Sequence, residues 1–194
     1  MDAQQEVRMI VFVGAESTGK STLAQHLAQR LGAGFVPEIG RFIWEEKQGQ
    51  LNADDYVEIA ERHRDAEDEA VRQASSSWVF VDTNALTTLL LGLCFGQVVE
   101  PVPLALLHYA DDCRSRYLHH FVCADDIPYE EEPGVRENAD WRTHIQRLVL
   151  EDLERRDIAY TVLTGTLEER AAQVMEVLSA IEQEQEQELT RAAA

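Results

Sequence analysis

Short unbroken apolar runs alternate with longer amphipathic stretches along the chain. Met9-Ile10-Val11-Phe12-Val13, the run Trp78-Val79-Phe80-Val81 ending in Asp82, and Tyr117 to Cys123 are of the first kind. They lack the in-out alternation of a half-exposed strand and predict strands covered on both faces, as in parallel sheets. Ala159-Tyr160-Thr161-Val162-Leu163 predicts another strand, and Phe35-Val36 a very short one. Leu23, Leu27 and Leu31 lie on one stripe of a helix predicted from Lys20 to about Leu31, stopped by Gly32-Ala33-Gly34. Further helices are predicted from Pro37 or Glu38 towards Lys47, over 53–74, over 84–95, from Pro101 and Pro103 to about Ala110, over 139–155 and over 167–183. Asn52 is placed to cap the second of these, with Asp54 and Asp55 in its first turn. Strands alternating with helices predict an α/β three-layer sandwich with a mostly parallel sheet. Such sheets bind ligands at the carboxyl ends of their strands.

Residues 1–183 read as one domain, and 194 residues suffice for one full core. The segment 125–138 carries Pro128, Pro133 and Gly134 among many acids and reads as a lid loop. The low-complexity acidic tail, 184–194, is expected to be disordered. Acidic residues number 36 against 17 basic ones, a net charge of −19. That balance disfavours nucleic acid as a partner but leaves room for a local basic pocket around a small phosphorylated ligand. There is no apolar run of 18 residues and no basic, apolar leader, so neither membrane insertion nor secretion is expected, and the cytoplasm is the consistent location. Cys94, Cys113 and Cys123 are odd in number and wrongly spaced for a zinc knuckle, and read as small buried hydrophobes. His119 and His120 are neighbours in a strand and so point to opposite faces, which is not a metal pair.

Gly14-Ala15-Glu16-Ser17-Thr18-Gly19-Lys20-Ser21 matches G-x-x-x-x-G-K-[ST] at every fixed position, between a buried strand and a helix. Glycines let consecutive N–H groups turn into one concavity, and the helix N-terminus adds its positive end. Lys20 then faces β- and γ-phosphates, and the Ser21 hydroxyl is placed for Mg²⁺, with Thr22 following it. The loop predicts ATP as the bound cofactor.

Asp82, at the end of a buried strand, suits Mg²⁺ directly or through water, and alternatively caps the helix starting near Asn84. Glu38 and Arg41 share a helical face after the second strand. Glu38 can take a proton from an attacking hydroxyl, and Arg41 can hold a phosphate or acceptor oxygen; a surface ion pair of Arg41 with Glu38 or Glu45 is the other reading. Arg136 in the lid loop can meet charge on the transferring phosphoryl group, or can simply be solvated. Thr164-Gly165 follows the last strand, where adenine lies in phosphate-loop kinases. Trp44 is placed near Glu38 and Arg41 and can stack on a base.

Taken with the loop, Pro37-Glu38-Ile39-Gly40-Arg41, Asp82-Thr83 with Thr87-Thr88, and Asp126-Ile127-Pro128-Tyr129 before Gly134-Val135-Arg136 form an ordered set over residues 8–180. This set resembles the nicotinamide riboside kinase domain of NadR-type NAD-salvage proteins, within the P-loop AAA-like ATPases and kinases. The resemblance implies transfer of the ATP γ-phosphate to the 5′-hydroxyl of nicotinamide riboside. It implies Lys20, Glu38, Asp82 and Arg136 as the catalytic set, and Glu38, Arg41, Trp44, Asp82 and Thr83 on the acceptor. Ser21 and Asp82 would hold the metal, and Glu38 and Asp82 compete as the base. The partner is a small nucleoside-like molecule, and self-association stays open. Two departures stand out. Residues 127–136 are one residue longer than the family's lid pattern and carry Pro133 where an Asp is expected. The chain also leaves no room for the adenylyltransferase domain of bifunctional members. Other readings are a nucleotide-dependent switch acting through a protein, and a kinase for another small metabolite.

Overall fold

The computed structural model describes residues 7–129 and 139–192. Five strands form one sheet in the order β2-β3-β1-β4-β5, and every pairing is parallel. They are β1 (Arg8–Val13), β2 (Gly34–Val36), β3 (Trp78–Asp82), β4 (His119–Cys123) and β5 (Tyr160–Leu163). The helices are α1 (Lys20–Leu31), α2 (Ile39–Glu46), α3 (Ala53–Gln73), α4 (Ala85–Cys94), α5 (Leu104–Arg116), α6 (Ala139–Arg155) and α7 (Leu167–Ala192).

Each strand alternates its side chains between two cores, which is why the runs are apolar throughout. Val11 and Val13 of β1, with Val79 and Val81 of β3, pack under α3 to α6 through Tyr56, Leu86, Leu106 and Val149. Ile10, Phe12, Phe80 and Phe121 pack under α1 and α7 through Leu23, Leu27, Val174 and Leu178. The Phe12 ring lies 6.0 Å from that of Phe80 and 5.7 Å from that of Phe121, tying three strands together. Full burial of each such ring stabilises by about 1.5–3 kcal/mol. β1 is thus the most firmly held strand, and the phosphate loop leaves its carboxyl end. There the chain order diverges to β3 on one side and β4 on the other, the crevice where open α/β sheets take ligands.

Three boundaries differ from the pattern's expectation. α5 runs to Arg116, not Ala110, because Ala110 and Cys113 continue its buried face. Tyr117 consequently ends that helix, and β4 begins at His119. α7 passes residue 183 and continues to Ala192, since glutamate and glutamine are good helix formers and no glycine or proline interrupts the run. The predicted cap at Asn52 is present: its side chain accepts from the amides of Asp54 and Asp55, and Asp55 accepts from the Asn52 amide at 2.8 Å. α4 is capped by Asn84, which accepts from the Thr87 amide at 3.0 Å, so Asp82 is not used as a cap. No helix among the described residues is long and apolar enough to cross a membrane.

Candidate active site

The loop between β1 and α1 departs from ordinary backbone at Gly14 (φ 136°), Ser17 (φ 55°) and Gly19 (φ 81°). A side chain at Gly14 would put its Cβ 2.7 Å from the Cys123 carbonyl oxygen, so glycine is required by space as well as by φ. Gly14→Ala is expected to lower the melting temperature and weaken ATP binding together. A backbone strain of this kind costs about 1–3 kcal/mol, and thermal unfolding beside an ATP titration checks it. Gly19 caps α1 without any side-chain acceptor, unlike Asn52 and Asn84 at α3 and α4. The first amides of α1 are therefore left for a ligand, where the helix dipole favours an anion. Lys20 Nζ donates to the Ala15 carbonyl at 2.7 Å, which folds its charge across the loop.

A cleft of about 980 Å³ opens over this loop. Its lining joins Glu16 to Thr22 of the loop, Asp82 and Thr83 after β3, and Glu38, Arg41 and Trp44 after β2. Tyr56, Ile59, His63, Leu91 and Phe95 also line it. The lining therefore combines polar, backbone-rich groups with aromatic ones. β2 and β3 are neighbours in the sheet, and this brings Glu38, just beyond β2, into the field of Asp82 at the end of β3.

Asp82 is 1% exposed, and one carboxylate oxygen, Oδ1, has no hydrogen-bond partner. Burial pushes its pKa up to about 6; Lys20 and a hydrogen bond from Ser21 act against this, and the Glu38 charge adds to it. Thr83 follows with φ 67°, a left-handed position for a β-branched residue, held by its amide on the Phe12 carbonyl at 2.9 Å. His63 is buried, and desolvation lowers its pKa, while Glu67, Glu38 and the Thr83 backbone oppose the shift.

Lys20, Ser21, Glu38, Arg41, Trp44, Asp82 and Thr83 all meet in this cleft. Glu38 occupies the N-cap of α2 without capping it, so its carboxylate is not taken up by the helix. Arg41 contacts Glu45 at 3.1 Å, the surface ion pair considered from sequence, while also lining the cleft. Gly14 and Ala15 do not line the cleft and form the root of the loop. Thr164 and Gly165 also lie outside its lining; Gly165 donates to Asp126 at 2.6 Å and accepts from Arg170 at 2.9 Å, a turn tied to the rear of the loop. Arg136, with most of the expected lid, lies outside the described residues. The residues not foreseen are the aromatic lining, His63, and the side chains behind the loop, Arg142, Gln146 and Arg170. Arg142 and Gln146 had one legible signal. They are polar positions in the same helical stripe as Ile145, Val149 and Leu153.

A parallel sheet with this loop after its central strand, and with lysine, serine and a buried carboxylate in one cleft, has the P-loop nucleoside-kinase fold. A family model described as an AAA domain matches residues 9–170, and the chain belongs to that family. No curated protein matches the sequence significantly. Among solved structures, a NadR protein in complex with NAD and AMP-PNP is similar at TM-score 0.68 and 23% identity, over 88% of this chain and 48% of that one. A NadR protein in complex with NR is similar at TM-score 0.63 and 22% identity, over 82% of this chain and 46% of that one. Thymidylate kinase from Ehrlichia chaffeensis is similar at TM-score 0.60 and 15% identity, over 89% of this chain and 99% of that one. The chain thus spans about half the length of the NadR chains it matches.

Proposed function

We propose that this chain is an ATP-dependent kinase that transfers the γ-phosphate to a hydroxyl of a small nucleoside-like acceptor, nicotinamide riboside being the first candidate. The observation that carries this is one cleft lined by the phosphate loop, Asp82 and Glu38 together with the aromatic residues Trp44, Tyr56 and Phe95. A nucleotide switch needs no second compartment beside the terminal phosphate, whereas a phosphotransferase does.

The amides at the start of α1 and Lys20 take the phosphates, and Lys20 offsets the charge that grows on the bridging oxygens. Ser21 and Asp82 fit Mg²⁺, a hard cation that takes one or two protein oxygens and otherwise phosphate and water. The buried Oδ1 of Asp82, without a partner and beside the Ser21 hydroxyl, is a suitable donor. When bound, the metal would supply positive charge against that developing on the phosphates. Glu38 orients the acceptor hydroxyl and takes its proton, with Asp82 as the competing base. Arg41 exchanges Glu45 for an acceptor oxygen, Arg136 meets the transferring group, and the turn at Thr164-Gly165 flanks the adenine.

Aromatic residues in the lining favour a flat ring, and Trp44, Tyr56 and Phe95 are of the type that attracts a cationic one. With the Glu38 carboxylate in the same lining, a pyridinium nucleoside suits the pocket better than an anionic acceptor. The structural similarity to NadR complexes holding NR, or NAD with AMP-PNP, supports the same choice. Incubation with Mg-ATP and a nucleoside panel, with products identified by mass, tests it. The expected result is acceptor-dependent ADP release with phosphorylated nicotinamide riboside as product. ADP release that no acceptor in the panel raises, with no phosphorylated product, would withdraw nicotinamide riboside and point to the switch or to an acceptor outside the panel.

A further inference from the structure

A loop that turns its N–H groups into a cleft turns carbonyl groups the other way, here into protein, where they must be satisfied. Side chains from α6 and α7 do this. Gln146 accepts from the Ala15 amide at 2.8 Å and donates to the Cys123 carbonyl at 3.0 Å. Arg170 donates to the Thr18 carbonyl at 2.6 Å and to the Ala124 carbonyl at 3.1 Å, and is ion-paired with Asp126. Arg142 donates to the Ser17 carbonyl at 2.9 Å and to the Ile127 carbonyl at 2.8 Å.

Arg142 differs from Arg170, the other buried arginine among the described residues, and from the partly exposed Arg116 and Arg156. It is 6% exposed, and its Nε is buried with no partner. Arg116, Arg156 and Arg170 all sit on carboxylates, but no carboxylate among the described residues lies within ion-pair distance of Arg142. Its neighbours are carbonyl oxygens and the Tyr129 ring, 5.8 Å away. Tyr129 in turn donates to Glu16 of the loop at 3.2 Å. A buried cation without a countercharge is costly to the fold unless an anion arrives to meet its field.

We propose that Arg142 is a positioning residue of the nucleotide site whose countercharge is the bound triphosphate. Its guanidinium fork holds the Ser17 carbonyl away from the cleft, which keeps the loop amides turned inward. Its charge adds to that of Lys20 from the opposite side of the loop. The same fork fastens Ile127 to the loop, so the segment after β4 is registered on the phosphate site. This inference rests on the loop binding a triphosphate and is independent of the acceptor.

Binding of Mg-ATP, ADP and AMP to the full chain, without acceptor, tests it in the wild type, Arg142→Gln and Arg142→Lys. Arg142→Gln is expected to weaken Mg-ATP at least tenfold, ADP less and AMP least, because the lost field acts on phosphate charge. Arg142→Lys keeps the charge and loses the fork, and should recover part of the ATP affinity. Without nucleotide, Arg142→Gln should melt no lower than the wild type, and saturating Mg-ATP should raise its melting temperature less. A variant that melts lower and loses ATP and AMP affinity by the same factor would make Arg142 merely structural and overturn the proposal. So would unchanged ATP affinity in Arg142→Gln beside a wild type that binds. A wild type that bound no nucleotide would overturn the underlying reading as well.

Discussion

Lys20→Ala is expected to remove phosphoryl transfer by about 10³-fold or more while leaving the fold intact. Lys20 is half-buried, makes no ion pair among the described residues, and donates only to the Ala15 carbonyl. Little of the packing therefore depends on it. In the proposed reaction its charge lies where phosphate negative charge increases during transfer. Loss of a single preorganised donor at such a place costs about 10²–10³-fold in turnover, and a full charge exceeds a neutral donor. ADP formation by the purified variant, beside its circular dichroism and melting temperature, checks this. Near-normal turnover in a preparation free of contaminating kinases would remove the loop from the catalytic site.

Asp82→Asn is expected to separate activity from stability in opposite directions. The unfolded carboxyl titrates near 3.8, and burial carries the folded one to about 6. Between those values the folded chain holds more protons than the unfolded chain, so stability falls as pH rises through that window. About two pKa units correspond to roughly 3 kcal/mol of destabilisation once the group is ionised. Asparagine removes the charge and keeps the shape. In magnesium-free buffer at pH 8 the variant should be more stable than the wild type, on the order of 2 kcal/mol, and the gap should close towards pH 4. Turnover should nonetheless fall by at least about a hundredfold, because a neutral amide neither accepts a proton nor binds Mg²⁺ well. Thermal melts across pH and the ADP assay read the two effects separately. A variant less stable at pH 8 would mean that the Asp82 charge is compensated by the fold. Glu38→Gln is the companion measurement: loss of transfer with ATP binding retained assigns the proton to Glu38, and equal loss of both makes Glu38 structural.

The parts of the site legible in sequence are those built from neighbouring residues. Gly14 to Ser21 could be read directly, since the turn, the lysine and the hydroxyl are set by local backbone and by the helix that follows. The strands carrying Phe12 and Phe80 were equally plain, because a strand covered on both faces must be apolar at each position. The α5 boundary was not. Pattern alone could not tell the last turn of α5 from the start of β4, as Tyr117 fits both a helical stripe and the apolar run that follows it, while charged residues flank Cys113 and mask the continuing stripe.

Sequence by itself determined the alternation of strands and helices, the phosphate loop and its lysine, and the cap at Asn52, each a short-range consequence of side-chain type. Only the tertiary structure decided which distant residues share a cleft. Glu38 and Asp82 meet because β2 pairs with β3, and Asp82 becomes hard to ionise because the sheet and its helices exclude water from it. The choice of Asn84 over Asp82 as the helix cap left that carboxylate for chemistry. Arg142 and Gln146 reach the loop because α6 packs its apolar stripe against the sheet, directing two polar side chains on that stripe at carbonyl and amide groups over a hundred positions earlier in the chain. Local pattern records which residues will be buried, and the electrostatics of a site depend on what they are buried against.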